Sequence, residues 1–486
     1  MPRRIFRVLG KSNYSGSPTP NPKAETCPQA ILTPMGNKKM LGTVILSILS
    51  LLLFIWGSKR QASLVNTDFN LTDQFAYMQY ARELAKSDFT FVGGRNRMPV
   101  YPALMSFFYC EGMSDKEFFE KGKWVGIALG IVVIASAFLI FCLGGHTDDA
   151  LTATLVAMFT VFVFKAPYFQ AEVLYYGIGL VLFCVLLNLV HRPSLKMALL
   201  AGCLGGIAHL TKASVLPTIL LAATCLIVKA VNGLFRQRTE SQENKETVYS
   251  SIVLPSCCLT LLLFGFLIVV YPYIQTSKEQ FGSYFYNVNS TFYMWYDSWQ
   301  EAKEGTRAHG DRFGWPNMPE EEIPSLGRYL QTHSIADITK RLTLGFATVS
   351  GISLVLSFGA GPILLYYLSV VVGFFHQNRH APELRRMWKE RCHTIVFIAA
   401  YFIGYIILYA WYTPIASGNR FNHSLFLPAM LICLQSFSLF RRYGMSICLF
   451  GKIANPTAIN KTILLLLGTY LLIGFPWLVS TVYGGW

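Results

Sequence analysis

Residues 68–109 read DFNLTDQFAYMQYARELAKSDFTFVGGRNRMPVYPALMSFFY, a polar interval directly after the first long apolar run of the chain. Two acids, Asp68 and Asp73, stand five positions apart. Tyr77 and Ala81 follow Asp73 at spacings of four, which predicts one face of a helix. The run GGRNR at 93–97 then supplies two arginines. The interval therefore concentrates charged and aromatic residues in a chain that is otherwise mostly apolar.

The composition of the whole chain excludes a soluble protein. Hydrophobic residues make up 53% of the 486 residues and charged residues 14%, with a mean hydropathy of +0.41. Soluble domains carry about 25% charged residues. Apolar runs long enough to cross a bilayer recur along the chain, which predicts an all-α polytopic membrane protein. The net charge of +15 does not indicate a nucleic-acid partner, because the basic residues cluster in loops between apolar runs.

The distribution of Lys and Arg predicts about eleven transmembrane helices, with the amino end inside and the carboxyl end outside. Residues 1–40 hold seven Lys/Arg and one acid and predict a disordered basic cytoplasmic tail. Residues 41–486 form the membrane domain, with long extracytoplasmic loops at 58–122 and 271–341 that bear short interfacial helices. The predicted spans are 41–56, 123–143, 150–164, 173–190, 197–210, 214–231, 251–270, one within 342–375, 394–412, 424–440 and 462–481.

Two details of this topology have alternatives. GAGP at 359–362 is able to divide the stretch 342–375 into two spans. Two spans would place the loop 376–393, with five Lys/Arg, outside, so the positive-inside rule favours one span led by an interfacial helix. The acid pair Asp148-Asp149 looks like a metal site, but acids at the start of a span are favoured by the helix dipole.

The order of residues in 68–109 resembles the first extracytoplasmic loop of the GT-C superfamily, the polytopic glycosyltransferases that use lipid-phosphate sugars. It looks most like the protein mannosyltransferase and aminoarabinose transferase group. Their loop reads acid, three residues, aromatic, three residues, alanine, and then a segment of the type Arg-x-Pro-x-Tyr-Pro. Asp73, Tyr77 and Ala81 fit the first part, and RMPVYP at 97–102 fits the second. The family often has Asp-Glu where this chain has Asp73-Gln74.

The resemblance implies a GT-C-like fold and an inverting transfer of a sugar from a polyprenyl- or dolichyl-phosphate donor to a glycan, protein or lipid acceptor. The protein mannosyltransferase group shares the predicted span count and orientation. An active site at the luminal or periplasmic face is implied, in the endoplasmic reticulum membrane of a eukaryote or the inner or plasma membrane of a bacterium. A divalent cation is the one cofactor that the resemblance leaves open.

Such a transfer needs a carboxylate that takes the proton from the attacking hydroxyl. Asp73 is the first choice for this base and Asp68 the alternative. Glu172, at the start of the fourth span, is a second acid that would orient the acceptor or help to hold a metal. Each has a structural alternative: a helix N-cap for Asp73, a solvated loop acid for Asp68, and a favourable helix-start charge for Glu172.

The leaving phosphate needs positive groups. Lys212 lies between two apolar segments, where an ammonium is costly without a partner, and LTKAS at 210–214 resembles the family's Thr-Lys-x-Ser turn. Arg420 precedes a span as the family's late arginine does. Arg95 and Arg97 are further candidates, since guanidinium groups match phosphate oxygens. The alternatives are a snorkelling Lys212 and arginines that anchor the loop at the lipid headgroups.

Four residues are candidate acceptor or sugar contacts: Tyr77, Tyr101, His209 and Trp295. Trp295 belongs to an aromatic outer segment for which an interfacial aromatic belt is the commoner role, and His209 has a structural hydrogen-bonding role as its alternative. We expect Asp73, Glu172, Lys212 and Arg420 to converge on one outward-facing pocket, although they are far apart in sequence.

Two other classes of function compete with a glycosyltransferase. One is a transporter or lipid flippase, and the other is a non-catalytic subunit of a membrane complex. Transporters tend to show internal repeats and polar or broken spans near the bilayer midplane. Here the charged residues gather at one face instead, which favours the enzyme.

Overall fold

The computed structural model describes residues 37–239, 249–449 and 452–485, and its regular structure is almost entirely helical. Within these ranges ten helices are long and apolar enough to cross a membrane. A shorter apolar helix, Leu195–Thr211, lies between two of them and completes eleven apolar segments in the predicted order. The prediction of an all-α polytopic membrane protein is confirmed. Most of the predicted tail, residues 1–36, lies outside the described residues.

We number the principal α-helices in chain order. They are α1 (Asn37–Arg60), α2 (Gln74–Lys86), α3 (Val100–Ser106), α4 (Asp115–Gly144), α5 (Thr147–Ala157), α6 (Glu172–His191), α7 (Leu195–Thr211), α8 (Leu216–Thr239), α9 (Leu254–Phe281), α10 (Ile335–Val355), α11 (Ala360–Gln377), α12 (Pro382–Glu390), α13 (Cys392–Tyr412), α14 (Phe426–Arg442), α15 (Pro456–Ile473) and α16 (Phe475–Thr481).

Short helical turns fill the gaps between these helices. The segment between α9 and α10 holds Val288–Thr291, Tyr293–Trp295, Trp299–Ala302, Lys303–Arg307, Glu320–Glu322 and Leu326–Thr332. The other turns are Gln61–Val65, Met158–Phe162, Val163–Lys165, Ala213–Val215, Tyr249–Val253 and Asn419–His423. A two-stranded antiparallel hairpin, β1 (Ile447–Leu449) and β2 (Lys452–Ala454), follows α14, with Ile447 opposite Ala454.

The bundle has two distinct ends. We call the end that carries Lys165 and Lys212 the upper face, and the end that carries Asp149 and Arg441 the lower face. The last residues of the described chain return to the upper face, where the Lys165 ammonium donates to the carbonyl oxygen of Gly484 at 2.6 Å. Each apolar segment connects the two faces, so successive loops alternate between them.

Hydropathy underestimates the length of two helices, α4 and α9. α4 begins at Asp115, eight residues before the predicted start of the span, because Ser114 and Glu117 form a reciprocal capping box. α9 continues past the predicted end at 270 to Phe281 and includes Pro272. Hydropathy reports the apolar length of a helix, not the polar turns beyond it. The second long loop is therefore 282–334.

The apolar stretch after this loop forms two helices, only one of which crosses the bundle. α10 starts at the upper face, where the Arg341 guanidinium donates to the carbonyl oxygen of Trp411 at 3.0 Å. It also ends there, since the Asn419 amide donates to the carbonyl oxygen of Leu356 at 2.6 Å. α11 then runs to the lower face beside β1. This is the predicted arrangement of one span led by a non-spanning helix, and it puts residues 376–393 at the lower face.

The acid pair at the start of α5 has a role beyond the helix dipole. Asp149 is completely buried and forms an ion pair with Arg441 of α14, with one nitrogen–oxygen distance of 2.8 Å. The side chain of Asn460, on α15, also donates to this carboxylate. A buried carboxylate needs such partners to offset its lost hydration. Asp149 therefore joins three helices at the lower face, which the interpretation as a helix-start charge missed.

Three segments form the buried centre of the bundle: Thr147–Lys165, Glu172–His191 and Asn419–Arg442. The surrounding helices expose large apolar side chains such as Leu139 and Leu267. Exposed apolar side chains around the circumference are expected where lipid, not water, surrounds a protein.

Close helix packing places Lys212 at the upper face. A Cβ on Gly202 of α7 would lie 2.3 Å from the carbonyl oxygen of Leu262 in α9, so the two backbones touch. Gly206, one turn later, likewise faces Val269, in a Gly-x-x-x-Gly spacing that lets membrane helices approach closely. α7 is thereby held along α9, and it ends at Thr211, immediately before Lys212.

Candidate active site

A cavity of about 780 Å³ opens at the upper face between the first loop, the second long loop and the ends of several spans. This volume lies within the usual range of roughly 300–1,000 Å³ for small-molecule sites. Seven charged side chains line it, and five of them form one connected group of ion pairs: Asp73, Arg97, Glu172, Lys212 and Arg420. The structure thus brings together the four residues expected to converge, and Arg97 with them.

Asp73 lies between two arginines. Arg97 forms a close ion pair with one carboxylate oxygen, and Arg420 donates to the other at 2.8 Å. Asp73 occupies the N-cap position of α2, but its side chain makes no capping hydrogen bond. The carboxylate therefore faces the cavity and its cations, not the helix backbone.

Glu172 and Lys212 form a second ion pair at 3.2 Å. Glu172 is the first residue of α6 and is buried, and one of its oxygens also lies 3.9 Å from Arg420. The Lys212 ammonium lies over the rings of Tyr175 and Phe421, at 5.5 and 5.2 Å from their centroids. Lys212 is thus turned into the cavity among aromatic and acidic partners, and it does not snorkel towards the headgroups.

Gln74, the departure from the family pattern, fixes the position of Asp73. Its buried side chain exchanges two hydrogen bonds with the side chain of Asn66, at 3.0 and 2.8 Å. Its oxygen also accepts from the backbone N–H of Phe169 at 3.0 Å. An amide can donate and accept at once, which an ionised carboxylate cannot. Gln74 therefore joins the first loop to the segment before α6, and so holds Asp73 near Glu172.

The glycine pair in the first loop is required by close approach. A Cβ on Gly93 would meet the ring of Tyr80 at 2.5 Å, and one on Gly94 would meet the carbonyl oxygen of Arg312 at 2.8 Å. Arg95 follows with φ of 54°, a left-handed conformation that is uncommon for a residue with a side chain. This turn sends Arg95 away from the cavity and returns Arg97 towards Asp73.

The backbone around Arg420 is held from three sides. The Lys165 ammonium donates to the side chain of Asn419 at 2.7 Å, and that side chain donates to the carbonyl oxygen of Leu356. The hydroxyl of Tyr176 donates to the carbonyl oxygen of Arg420 itself at 2.7 Å. The guanidinium is therefore presented to Asp73 by a fixed backbone.

Several predicted site residues lie elsewhere among the described residues. Asp68 is exposed, does not line the cavity, and accepts hydrogen bonds from the backbone and side chain of Asn70, which is the geometry of a loop acid. Arg95 is buried, with its guanidinium 3.9 Å from the ring centroid of Tyr273, and it also donates to the carbonyl oxygen of that residue. It anchors the first loop to α9 and is no phosphate contact in this arrangement.

The predicted aromatic contacts divide in the same way. Tyr77 and His209 line the cavity. Tyr101 is buried behind Tyr77, with ring centroids 5.3 Å apart, and does not reach the cavity. Trp295 packs against Tyr329 and Trp411 at the side of the second loop, also outside the cavity lining.

The second long loop contributes two arginines to the cavity that were not among the predicted site residues. Arg307 and Arg312 line the cavity, together with Tyr293 and Trp299. The two arginines fall in the run GTRAHGDR at 305–312, next to the aromatic segment. The sequence did carry a signal for these arginines, because they are two basic residues in a loop that the predicted topology already placed at the same face as the site.

The residues present do not fit a divalent cation. Hard cations such as Mg²⁺ and Ca²⁺ take about six or more oxygen ligands. Asp73 and Glu172 already face Arg97, Lys212 and Arg420 within ion-pair distance. Across the described ranges, no group of three or more His, Cys, Asp or Glu is arranged to hold a metal.

The electrostatics of Asp73 predict a pH dependence of stability. Burial alone would raise its pKa, but the guanidinium groups of Arg97 and Arg420 outweigh burial and lower the pKa from 3.8 to about 2. A group with a lowered pKa stabilises the folded state above its unfolded pKa, and loses that contribution as pH falls towards the folded pKa. We expect Asp73 to contribute about 2 kcal/mol above about pH 4, lost between about pH 4 and 2.

The measurement is the thermal unfolding midpoint of the full-length protein in detergent over this pH range. Asp73→Asn should flatten the acid side of the curve, while Asp68→Asn, at the exposed acid five residues earlier, should keep the wild-type slope. Equal slopes in wild type and Asp73→Asn would show that the two arginines do not stabilise the ionised carboxylate.

No protein-family model and no curated protein matches the chain. Three crystal structures of the Archaeoglobus fulgidus oligosaccharyltransferase are similar to it. They are the apo form (13% identity, TM-score 0.43), a complex with Zn and sulfate (12%, 0.42), and a form tethered with an acceptor peptide containing the NVT sequon (12%, 0.41). The similarity covers 90% of this chain and 56%, 53% and 55% of those chains, so this chain spans little more than half of their length. Likeness at this level says nothing about what this chain binds or catalyses.

Proposed function

We propose that this protein is a glycosyltransferase of the GT-C type, which transfers a sugar from a polyprenyl- or dolichyl-phosphate donor to an acceptor hydroxyl with inversion. The observation that supports this proposal is one cavity in which two carboxylates and the three cations paired with them, from separate loops, converge at one face of a membrane bundle. A lipid-phosphate sugar keeps its tail in the bilayer and its phosphate at the interface, and a site built at the ends of apolar segments suits such a donor. The motif resemblance of residues 68–109 supports the same reaction.

Asp73 is the proposed general base. A carboxylate has about four lone-pair positions, so its hydrogen bonds to Arg97 and Arg420 leave room to accept the acceptor's proton. With a pKa of about 2 the free carboxylate is a weak base. A donor phosphate that attracts Arg420 would remove one of its two charge partners and raise its basicity. Donor binding would thus prepare Asp73 for proton transfer.

Arg420 and Lys212 are the proposed contacts of the leaving phosphate, and Arg97 assists them. Cations fixed before the reaction stabilise the charge that develops on the leaving phosphate without further rearrangement. Lys212 is one-fifth exposed and Arg420 slightly less, so both are accessible from the cavity and still partly shielded from water. Glu172 holds Lys212 in place and is the second acid available to orient the acceptor.

The deciding experiment follows the donor lipid in liposomes that contain the full-length protein and a labelled polyprenyl-phosphate sugar. Appearance of free polyprenyl phosphate together with a labelled acceptor, added as mixed glycans, peptides and lipids, supports the transferase. Movement of intact donor between leaflets without transfer would instead support a flippase. Neither reaction across a panel of sugars would favour the non-catalytic subunit.

The proposal also predicts that the cavity face is extracytoplasmic. Lys303→Cys, in the second long loop, and Glu383→Cys, in α12, are both exposed positions on opposite faces of the bundle. In a cysteine-free background and sealed vesicles whose extracytoplasmic face is outward, an impermeant thiol reagent should label position 303 alone. Position 383 should react only after permeabilisation. Labelling of both from one side would contradict the topology, and labelling of 383 alone would reverse it.

A further inference from the structure

The cavity holds more positive charge than a single lipid phosphate needs. Five basic side chains and two acidic ones line it, so cations exceed anions by three: Arg97, Lys212, Arg307, Arg312 and Arg420 against Asp73 and Glu172. The two acids pair with three of the cations. For Arg307 and Arg312, no carboxylate in the described part of the chain lies within 4.0 Å, and the buried Asp311 carboxylate interacts with both of them only over a longer distance.

These two arginines are held in place by the fold. The carbonyl oxygen of Arg312 lies against Gly94, closer than a Cβ would permit, so this residue is locked to the loop that carries Arg97. The Tyr286 hydroxyl donates to the carbonyl oxygens of Asp311 and Gly314, on either side of Arg312. The guanidinium of Arg307 lies 5.0 Å from the ring centroid of Trp299. The buried Tyr286 and the close contact at Gly94 thus fix the backbone of Arg312, as they would not for an arginine that only extends into solvent from a loop.

We propose that Arg307 and Arg312 form a second anion subsite of this cavity, which binds a second phosphate or a carboxylate of the substrates. This inference rests on the proposed function and extends it to the substrate class. The phosphodiester of a monophosphate-linked sugar carries one negative charge, which Arg420 and Lys212 already meet. Arginine forks match the paired oxygens of phosphate and carboxylate groups. The second anion belongs either to a diphosphate-linked donor or to an acidic acceptor.

Two pairs of probes separate these sources, with the full-length protein in lipid nanodiscs. Farnesyl phosphate and farnesyl diphosphate differ only in the second phosphate. Glucose and glucose 6-phosphate, added with farnesyl phosphate present, differ only in an anion on the acceptor side. If the donor supplies the anion, we expect the diphosphate to bind at least about tenfold more tightly than the monophosphate. If the acceptor supplies it, only glucose 6-phosphate should bind measurably.

The double variant Arg307→Gln/Arg312→Gln should abolish whichever preference appears, while its farnesyl phosphate affinity stays within about twofold of wild type. If the double variant fails to fold, Arg307→Gln and Arg312→Gln are read singly. Arg328→Gln removes an arginine of the same loop that lies outside the cavity lining, and should change nothing.

The subsite would be overturned if the preference for farnesyl diphosphate or glucose 6-phosphate survived loss of both arginines. It would also be overturned if the wild-type protein showed neither preference. Failure of the proposed function is a different result, because farnesyl phosphate itself would then bind without dependence on Lys212 or Arg420. A preference lost in Arg328→Gln as strongly as in the double variant would also overturn it, since net loop charge would then be the cause.

Discussion

Asp73→Asn is expected to lower the turnover of the full-length protein by about 10²–10⁴-fold, the usual loss when a general base is removed. The amide keeps the shape of the side chain but cannot take a proton at neutral pH. Donor binding should be retained or become tighter, because Asp73 competes with the donor phosphate for Arg420, which donates to its carboxylate at 2.8 Å. Turnover and farnesyl phosphate affinity, measured on the same preparation, check both expectations.

Two neighbouring acids provide the controls for this result. Asp68→Asn makes the same chemical change at an exposed acid outside the cavity lining and should keep wild-type turnover. Glu172→Gln should weaken the position of Lys212 and so reduce donor binding as well as turnover. A well-folded Asp73→Asn protein with wild-type turnover would exclude Asp73 as the base, and Glu172 would then be the remaining acid of the cavity.

The sequence predicted the architecture well because the bilayer imposes strong constraints on it. A spanning segment must satisfy its backbone internally and present about 20 apolar residues, so hydropathy finds it directly. The boundaries were less predictable, since polar turns that extend α4 and α9 beyond the apolar part carry no hydropathy signal. The buried ion pair of Asp149 and Arg441 could not be predicted from the sequence pattern, because the two residues are 292 positions apart.

A site residue could be predicted from the sequence where its residue type has few structural roles at the end of a span. Lys212 between two apolar helices required a partner, and Glu172 is that partner. Tyr101 and Trp295 do not line the cavity, and the sequence could not show this because an aromatic residue fits a packing role as well as a binding one. Arg95 lies outside the cavity lining while Arg97 lines it, and this difference depends on the left-handed backbone at Arg95, which composition does not reveal.

Lys212→Ala and Arg420→Ala are expected to weaken farnesyl phosphate binding by about 10–100-fold each, together with a loss of turnover at least as large. A phosphate is charged before and during the reaction, so its contacts support ground-state and transition-state binding alike. This separates them from Asp73→Asn, which should lower turnover without weakening donor binding. Lys278→Ala, at an exposed lysine near the end of α9 and outside the cavity lining, should bind farnesyl phosphate as wild type does.

Arg420→Ala carries a larger risk for folding than Lys212→Ala, because Arg420 lies near both carboxylates and Lys212 pairs with Glu172 alone. Its loss leaves Asp73 and Glu172 with fewer cations, and breaking a buried pair costs about 3–5 kcal/mol. The double variant Asp73→Asn/Arg420→Gln removes one charge of each sign and should restore the unfolding midpoint without restoring donor binding. Restored binding in that variant would show that Arg420 serves only to neutralise Asp73, and the phosphate contact would then fall to Lys212 and Arg97.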